Sequence, residues 1–149
     1  GAKPLAGFPG ETVTEGLDGL RERLAEYRGL GARFAKWRAV ITIGEGIPTP
    51  YCIDTNAHAL ARYAALCQEQ GLVPIVEPEV LMDWSNSIEV CYDVTRRTLE
   101  CTFDHLYAQG VKLEEMLLKP NMVIAGKQCA KQATGRGAGP TFLNWPRPP

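Results

Sequence analysis

Residues 71–81 read G-L-V-P-I-V-E-P-E-V-L, and this stretch decides the fold. Gly71 is a typical stop for a preceding helix, and residues 72–76 form a short apolar run. The run leads straight into the carboxylates Glu77 and Glu79. Such a run is typical of a buried strand in a parallel sheet, so we predict a strand over 72–76 with Glu77 at its end.

Two further apolar runs flank this stretch. Residues 34–43 read F-A-K-W-R-A-V-I-T-I, and residues 116–119 read M-L-L-K. Helical patterns separate the three runs, and strands that alternate with helices indicate parallel βαβ units. Lys36, Glu77 and Lys119 stand at equivalent points of the repeat, separated by 41 and 42 residues. The period is consistent with either a (β/α)₈ barrel or an open doubly wound sheet.

Local signals place three helices. Thr12 and Glu15 have capping-box spacing, which predicts that the first helix starts there. The second helix is predicted to start near Asp54. The third is predicted to start near Asn86 and to close at Gly110. The second helix should pack through an apolar stripe formed by Ala57, Leu60, Ala61, Ala64 and Cys67.

Composition excludes several classes of protein. The net charge of −1 and pI of about 6.2 give no sign of a nucleic-acid surface. No run of about 18 apolar residues is present, so no membrane span is expected. The chain starts at Gly1 without a methionine or a signal-peptide core, as if it were cut from something longer.

The cysteines and histidines predict no metal site. The five cysteines include no C-x-x-C pair, which argues against a zinc site or a disulfide framework and favours reduced thiols in a cytosolic protein. His58 and His105 are interpreted as ordinary helix-surface residues with no acidic or cysteine partner at ligand spacing. Trp37, which faces opposite Lys36, is expected to pack between strand and helix.

The chain is predicted to divide near residue 125. Residues 1–125 carry the alternating pattern, whereas residues 126–149 are rich in Lys, Gln, Gly and Ala and end in N-W-P-R-P-P. This ending favours neither a helix nor a central strand, so we expect the segment 126–149 to be divergent and loosely ordered.

Charged residues at the strands point to one kind of chemistry. The carboxyl ends of parallel strands share one face, where Lys119 and Glu77 would meet. A lysine forms a Schiff base only as a neutral amine, and Lys36 is a candidate for the neighbouring cation that favours this form. Glu77 could shuttle protons, and Glu79 could orient Lys36 by an ion pair. Arg38 lies on the same side of its strand as Lys36 and suits a phosphate.

Each of these signals also has an ordinary explanation. A lysine at a strand end is commonly a solvated edge residue, and the E-P-E at 77–79 could be a turn. Lys36 and Arg38 could extend their charged ends to solvent from a half-exposed strand. The residues alone therefore predict no more than a Schiff-base lyase as one candidate.

Five segments resemble one family. They are residues 71–81, F-A-K-W-R at 34–38, L-A-R-Y-A at 60–64, L-L-K-P-N-M-V at 117–123 and the opening at 4–20. All five are similar to class I fructose-bisphosphate aldolases, in the family's order, and the resemblance covers residue 1 to about residue 129.

The resemblance implies a (β/α)₈ barrel that cleaves fructose 1,6-bisphosphate to dihydroxyacetone phosphate and glyceraldehyde 3-phosphate, in glycolysis and with no metal or other cofactor. Lys119 matches the family's Schiff-base lysine, and Glu77 matches its general acid/base. Glu79 and Lys36 match the groups flanking the reacting carbons, and Arg38 matches a substrate-contacting arginine. The family is usually cytoplasmic and tetrameric, so self-association is expected.

Departures from the family pattern define the expected fold class. The chain matches about strands 4 to 6 or 7, so we predict a partial TIM barrel without the family's early-strand aspartate and lysine or its late arginine. Trp84 stands where the family has glycine. Residues 141–145 read T-F-L-N-W in place of T-F-L-S-G-G, which removes glycine N–H groups that would bind phosphate.

These observations leave three hypotheses. The first is an aldolase-type lyase acting on a phosphorylated ketose. The second is a noncatalytic aldolase-derived fragment that acts, if at all, in assembly or binding. The third is a different Schiff-base lyase that uses a smaller ketone on the same barrel.

Overall fold

The computed structural model describes residues 1–132. Every helix in this part is too short or too polar to span a lipid bilayer. The elements are β1 (Ala2–Pro4), β2 (Thr12–Thr14), α1 (Leu20–Gly29), β3 (Phe34–Ile41), α2 (Pro50–Glu69), β4 (Val73–Val80), α3 (Ile88–Ala108), a 3₁₀ turn (Leu113–Glu115) and β5 (Leu117–Leu118).

A parallel sheet of order β3-β4-β5 forms the centre of the fold. The β3–β4 register runs from Phe34 opposite Val73 to Ile41 opposite Val80. β5 adds a short third strand in which Leu117 lies opposite Ile75. The predicted parallel α/β architecture is confirmed.

The central strand is longer than predicted. β4 continues through Glu77 to Val80 rather than ending at Glu77. The backbone N–H groups of Val73 and Leu81 donate to the carbonyls of Arg33 and Ile41, so the N–H groups of the odd-numbered residues of β4 point toward β3. Pro74 and Pro78 therefore lie on the edge facing β5. Their missing N–H groups leave the β3 ladder intact, which is why the strand passes through P-I-V-E-P without a break.

The same prolines explain why β5 is short. They remove two donors from the edge of β4 that β5 pairs with, and β5 is only the pair Leu117–Leu118. Further along this edge, the N–H of Val80 donates to the side-chain Oδ1 of Asn121 at 3.2 Å. A side chain thus replaces the strand partner that β5 does not supply.

The helices cover one face of the sheet. The predicted stripe of α2 is confirmed, since its members are all buried. Trp37 is also buried, and its ring stacks on Tyr63 of α2 with centroids 5.4 Å apart. The prediction that Trp37 packs between strand and helix is confirmed. Two apolar clusters form this layer, one around Leu60 and Val76 and one around Ile41 and Val80.

The predicted start of the first helix is wrong. Thr12–Thr14 is β2, which pairs antiparallel with Ala2–Pro4, and α1 begins only at Leu20. The Thr12 and Thr14 hydroxyls donate to the backbone oxygens of Val40 and Arg38, at 3.1 and 2.6 Å. These residues therefore satisfy carbonyls on the open edge of β3 instead of capping a helix.

The other helix starts are displaced by a few residues. α2 begins at Pro50, four residues before the predicted Asp54, because Thr49 caps it: the Thr49 hydroxyl accepts from the N–H of Cys52 at 3.2 Å. α3 begins at Ile88, and its cap is Ser87 rather than Asn86.

Backbone hydrogen bonds connect residues 126–128, which follow β5, to residues 82–86, which follow β4. The N–H groups of Gly126, Lys127 and Gln128 donate to the carbonyls of Asn86, Met82 and Trp84, at 2.9, 2.7 and 3.1 Å. The first residues of the predicted C-terminal segment are thus bonded to the body of the fold. Residues 133–149, which include the T-F-L-N-W sequence at 141–145, lie outside the described residues.

We predict that Gly126→Ala destabilises the protein. A Cβ atom at this position would lie 2.0 Å from the backbone oxygen of Trp84, and this oxygen is held by its own hydrogen bond from Gln128. Overpacking of this kind costs about 1–3 kcal/mol or more. The free energy of unfolding from urea titration measures the loss.

The matched control is Gly29→Ala. Gly29 is the last residue of α1, and an added Cβ there meets nothing within 4 Å. This variant should keep or slightly raise stability, since Ala favours a helix over Gly by up to about 1 kcal/mol. Equal stability of the two variants would contradict the close packing at Gly126.

Candidate active site

The five predicted site residues lie on the sheet face that the helices leave open. Lys36 and Arg38 alternate with the buried Trp37 along β3, and Glu77 and Glu79 follow the same alternation along β4. Lys119 directly follows β5, and its N–H donates to the carbonyl of Val76 at 2.9 Å. Parallel pairing therefore brings all five predicted residues to one surface.

Glu77 lies between two lysines. Its side chain is 3% exposed, whereas those of Lys36 and Lys119 are 50% and 57% exposed. Lys119 Nζ donates a hydrogen bond to Glu77 Oε1, and Lys36 Nζ lies 3.2 Å from Oε2. One carboxylate is shared by two ammonium groups, so the cluster carries a net positive charge.

The two lysines keep Glu77 ionised. Burial by itself raises the pKa of this carboxyl group, but the hydrogen bonds and charges of Lys119 and Lys36 outweigh it and hold the pKa below its ordinary value. Lys36 acts on Oε2 from 3.2 Å, and no other hydrogen-bond donor contacts this oxygen within the described residues. This oxygen remains available to a proton from another group.

The predicted ion pair between Glu79 and Lys36 is wrong. Glu79 pairs with Arg38 instead. In the β3–β4 register each cation of β3 reaches the carboxylate two residues further along β4, since Lys36 stands opposite Ile75 and Arg38 stands opposite Glu77. A contact from Lys36 to Glu79 would have to reach four residues beyond Ile75 along the strand, about 13 Å.

Asn121 fixes the segment that carries Lys119. Besides accepting from Val80, its side chain donates to Thr95 Oγ1 of α3 at 3.1 Å. Asn121 thus ties the residues after β5 to both the sheet and a helix. Sequence reasoning missed this role, because an asparagine after a strand is an unremarked loop residue.

Trp84 lies at the carboxyl ends of β3 and β4. Its side chain is 40% exposed, and it lines an open cleft with Thr42, Ile43, Leu81 and Asp83. Trp84 therefore lies at the end of the sheet toward which the charged rows of β3 and β4 run.

The interpretation of His58 as a helix-surface residue agrees with its exposed position on α2, but His105 does have the acidic and cysteine partners that were not expected. His105 Nε2 lies 2.9 Å from Asp54 Oδ1, and Cys101 Sγ contacts the same oxygen at 4.0 Å. The signal was present in the sequence as two pairs spaced by four residues, Asp54 with His58 and Cys101 with His105. Such pairs share one helix face.

Comparison with known proteins decides the family. A family model described as class I fructose-bisphosphate aldolase matches residues 1–142. A protein of Xanthomonas axonopodis pv. citri named probable fructose-bisphosphate aldolase class 1 is 69% identical over 134 residues, which make up 90% of this chain and 40% of that protein. The chain belongs to the class I fructose-bisphosphate aldolase family.

A plant relative and a solved structure agree with this assignment. An Arabidopsis thaliana protein named fructose-bisphosphate aldolase 6, cytosolic, is 54% identical over 133 residues, which make up 89% of this chain and 37% of that protein. The structure of the Plasmodium falciparum aldolase in a ternary complex with TRAP and a small-molecule inhibitor matches with a TM-score of 0.93 and 49% identity, over 96% of this chain and 42% of that one. The chain thus spans about 40% of the length of the aldolases it matches.

We predict that Glu77 makes the stability of this aldolase chain depend on pH in the acid range. Its pKa is lowered in the folded state, so its contribution is complete above the ordinary value of 4.5 and is lost as pH falls through the folded value. Glu77→Gln should be less stable at pH 7 and should vary less with pH below about 4.5. Urea titrations between pH 7 and pH 3 measure both effects.

Glu69→Gln is the control for this comparison. Glu69 pairs with Arg21 on the surface at 2.7 Å, where water screens the pair, so its removal should change the pH dependence less. If Glu77→Gln kept the wild-type dependence on pH, the lysine contacts would not be holding the carboxylate ionised.

Proposed function

We propose that this chain carries the Schiff-base part of a class I fructose-bisphosphate aldolase site, which cleaves fructose 1,6-bisphosphate reversibly to dihydroxyacetone phosphate and glyceraldehyde 3-phosphate in glycolysis. The observation that carries the proposal is the buried Glu77 carboxylate held between Lys36 and Lys119 on the open face of the sheet. Nucleophile and proton acceptor are already in contact, which is the arrangement that amine attack on a carbonyl requires.

The contact between Lys119 and Glu77 supplies a path for the proton. Lys119 passes a proton to Glu77 and becomes a neutral amine, while Lys36 remains as the neighbouring cation. The amine nitrogen adds to the ketose carbonyl carbon, and the resulting carbinolamine keeps the carbonyl oxygen as a hydroxyl group. Glu77 then returns its proton to this hydroxyl, which leaves as water, and a cationic Schiff base on Lys119 remains.

The Schiff base then takes up the electrons of carbon–carbon cleavage. Loss of a proton from the hydroxyl on the far carbon forms the aldehyde, and the electron pair of the broken bond moves to the iminium to give an enamine. Protonation of the enamine and addition of water release the second product. Glu79 and Lys36 flank these carbons in the proposed site.

Arg38 is the proposed substrate-binding residue. Its side chain is 47% exposed and is oriented by Glu79, so N–H donors remain for an incoming phosphate. A guanidinium binds phosphate through two parallel hydrogen bonds, which suits a phosphorylated ketose.

The open sheet face supports a partial (β/α)₈ barrel. On the same side as the charged residues, Phe34, Val73 and Leu117 are 64%, 40% and 57% exposed. An apolar patch of this kind, at the amino ends of three neighbouring strands, fits the interior of a barrel whose remaining strands cover it. We propose that residues 1–125 are such a half-barrel, followed by the divergent segment 126–149, and that further chain or self-association completes it. We propose a cytoplasmic location, which the name of the cytosolic plant relative supports.

The alternative is a noncatalytic role in assembly or binding. It is favoured by the exposed apolar patch on the open sheet face, because such a patch is typical of a surface that binds a partner. A site that needs groups from the other strands would bind without turning over.

We predict that borohydride traps dihydroxyacetone phosphate on Lys119. Reduction converts the Schiff base into a stable secondary amine, which intact mass and peptide mapping locate. Lys119→Arg should abolish the adduct, because a guanidinium is not a nucleophile at neutral pH. Lys112→Arg, which changes an exposed lysine next to β5, is the matched control and should keep it. Absence of an adduct at saturating ligand would favour the noncatalytic role.

We predict further that association accompanies aldol cleavage. Size-exclusion chromatography beside a cleavage assay should show turnover in an associated fraction, because pairing covers the apolar patch and the edges of the sheet. Glu77→Gln should lower the rate by about 10²–10⁴-fold, as loss of a general acid/base does. A monomer without turnover would remove the enzyme hypothesis for this chain.

A further inference from the structure

A second cluster of reactive side chains lies in the helical layer, on elements other than those that carry the lysines. Asp54 stands near the start of α2, and Cys101 and His105 stand on α3. One ligand atom from each, a carboxylate oxygen, the thiol sulfur and an imidazole nitrogen, lies within 4.8 Å of the other two. The proposed aldolase chemistry uses none of these residues.

The position of the cluster follows from helix geometry. Cys101 and His105 are four residues apart, so both side chains lie on the same face of α3. That face packs against α2, where Asp54 contacts both side chains. Asp54 Oδ1 lies 2.9 Å from His105 Nε2 and 4.0 Å from Cys101 Sγ. His58, one turn after Asp54, meets the ring of His105 edge-on, with centroids 5.6 Å apart.

We propose that Asp54, Cys101 and His105 bind one Zn²⁺ ion between α2 and α3, with solvent at the fourth position. Thiolate, imidazole and carboxylate are together the ligand set of zinc sites, whereas Mg²⁺ and Ca²⁺ select oxygen ligands alone. Two helix residues spaced by four are also a standard means of presenting two ligands to one zinc ion.

The dimensions of the cluster fit this ion. Tetrahedral Zn²⁺ with bonds of about 2.0–2.3 Å separates its ligand atoms by about 3.3–3.8 Å. The observed separations of 2.9 and 4.0 Å lie on either side of this range, so rotations of the three side chains suffice. Asp54 is 61% exposed and His105 is 26% exposed, which gives the ion a path from solvent and leaves room for a water ligand.

The surroundings argue against a reactive thiol at this place. Burial and the charges of Asp54 and Asp104 disfavour a free thiolate at Cys101, so a Zn²⁺ ion that binds the sulfur displaces the thiol proton to solvent. The same two carboxylates favour a divalent cation beside the sulfur.

The test is a Co²⁺ titration of the full chain without an affinity tag. Co²⁺ takes the place of Zn²⁺ and reports a thiolate ligand by a charge-transfer band in the near ultraviolet and tetrahedral geometry by visible bands. We expect one equivalent of Co²⁺ to produce both signals and Zn²⁺ to displace it. Cys101→Ser should remove the charge-transfer band, and His105→Ala should weaken Zn²⁺ binding by at least about 100-fold, beyond the 10–100-fold cost of losing an orienting partner.

Two further variants test whether Co²⁺ binds at the proposed ligands and not elsewhere on the chain. Cys129→Ser changes another half-buried cysteine and should leave the Co²⁺ spectrum unchanged. Asp54→Asn replaces a mostly exposed side chain, so it keeps the fold and should still weaken binding. Absence of stoichiometric binding, or a charge-transfer band that survives Cys101→Ser, would overturn the proposal. In that event the three residues are a hydrogen-bonded contact between two helices.

Discussion

The site depends on the pairing of β3 with β4 over their full length. Eight consecutive residue pairs hold the two strands in a fixed register, and this register decides which cation meets which carboxylate. A shift of one residue would turn every charged side chain of one strand toward the helices and every apolar one away from them. The buried row that includes Trp37 and Val76 therefore fixes the fold and, on the other face, the placement of Lys36 and Glu77.

Glu77 is a buried carboxylate that two partly exposed lysines stabilise. An isolated carboxylate in a sheet would be costly, and it is stabilised because ammonium groups reach it from the strands on both sides. The amine ends of Lys36 and Lys119 remain half-exposed. The sheet thus surrounds the carboxylate and leaves the amines accessible to a small molecule.

Much of the fold could be predicted from the sequence, because its helices and strands have a regular apolar period. The stripe of α2 and the parallel alternation of strands needed no tertiary information. The start of α2 and the path of β4 required it. Thr49 caps the helix while its own hydroxyl donates to Glu11, and Pro78 continues the strand because its missing N–H faces the β5 edge and leaves the pairing with β3 intact. The surface that collects Lys36, Arg38, Glu77, Glu79 and Lys119 followed from strand alternation, but the choice of ion pairs depends on register, which no single strand encodes.

The prolines of β4 have a consequence for the element that carries Lys119. Because they remove donors from the edge that β5 uses, few backbone hydrogen bonds attach β5 to the sheet, and Asn121 takes over part of the attachment. The position of the nucleophile is thus set largely by side chains. In hydrogen exchange, the amides that join β3 to β4 belong to the most protected unit of the sheet. Lys119 follows the short edge strand β5, which can move without breaking the hydrogen bonds between β3 and β4.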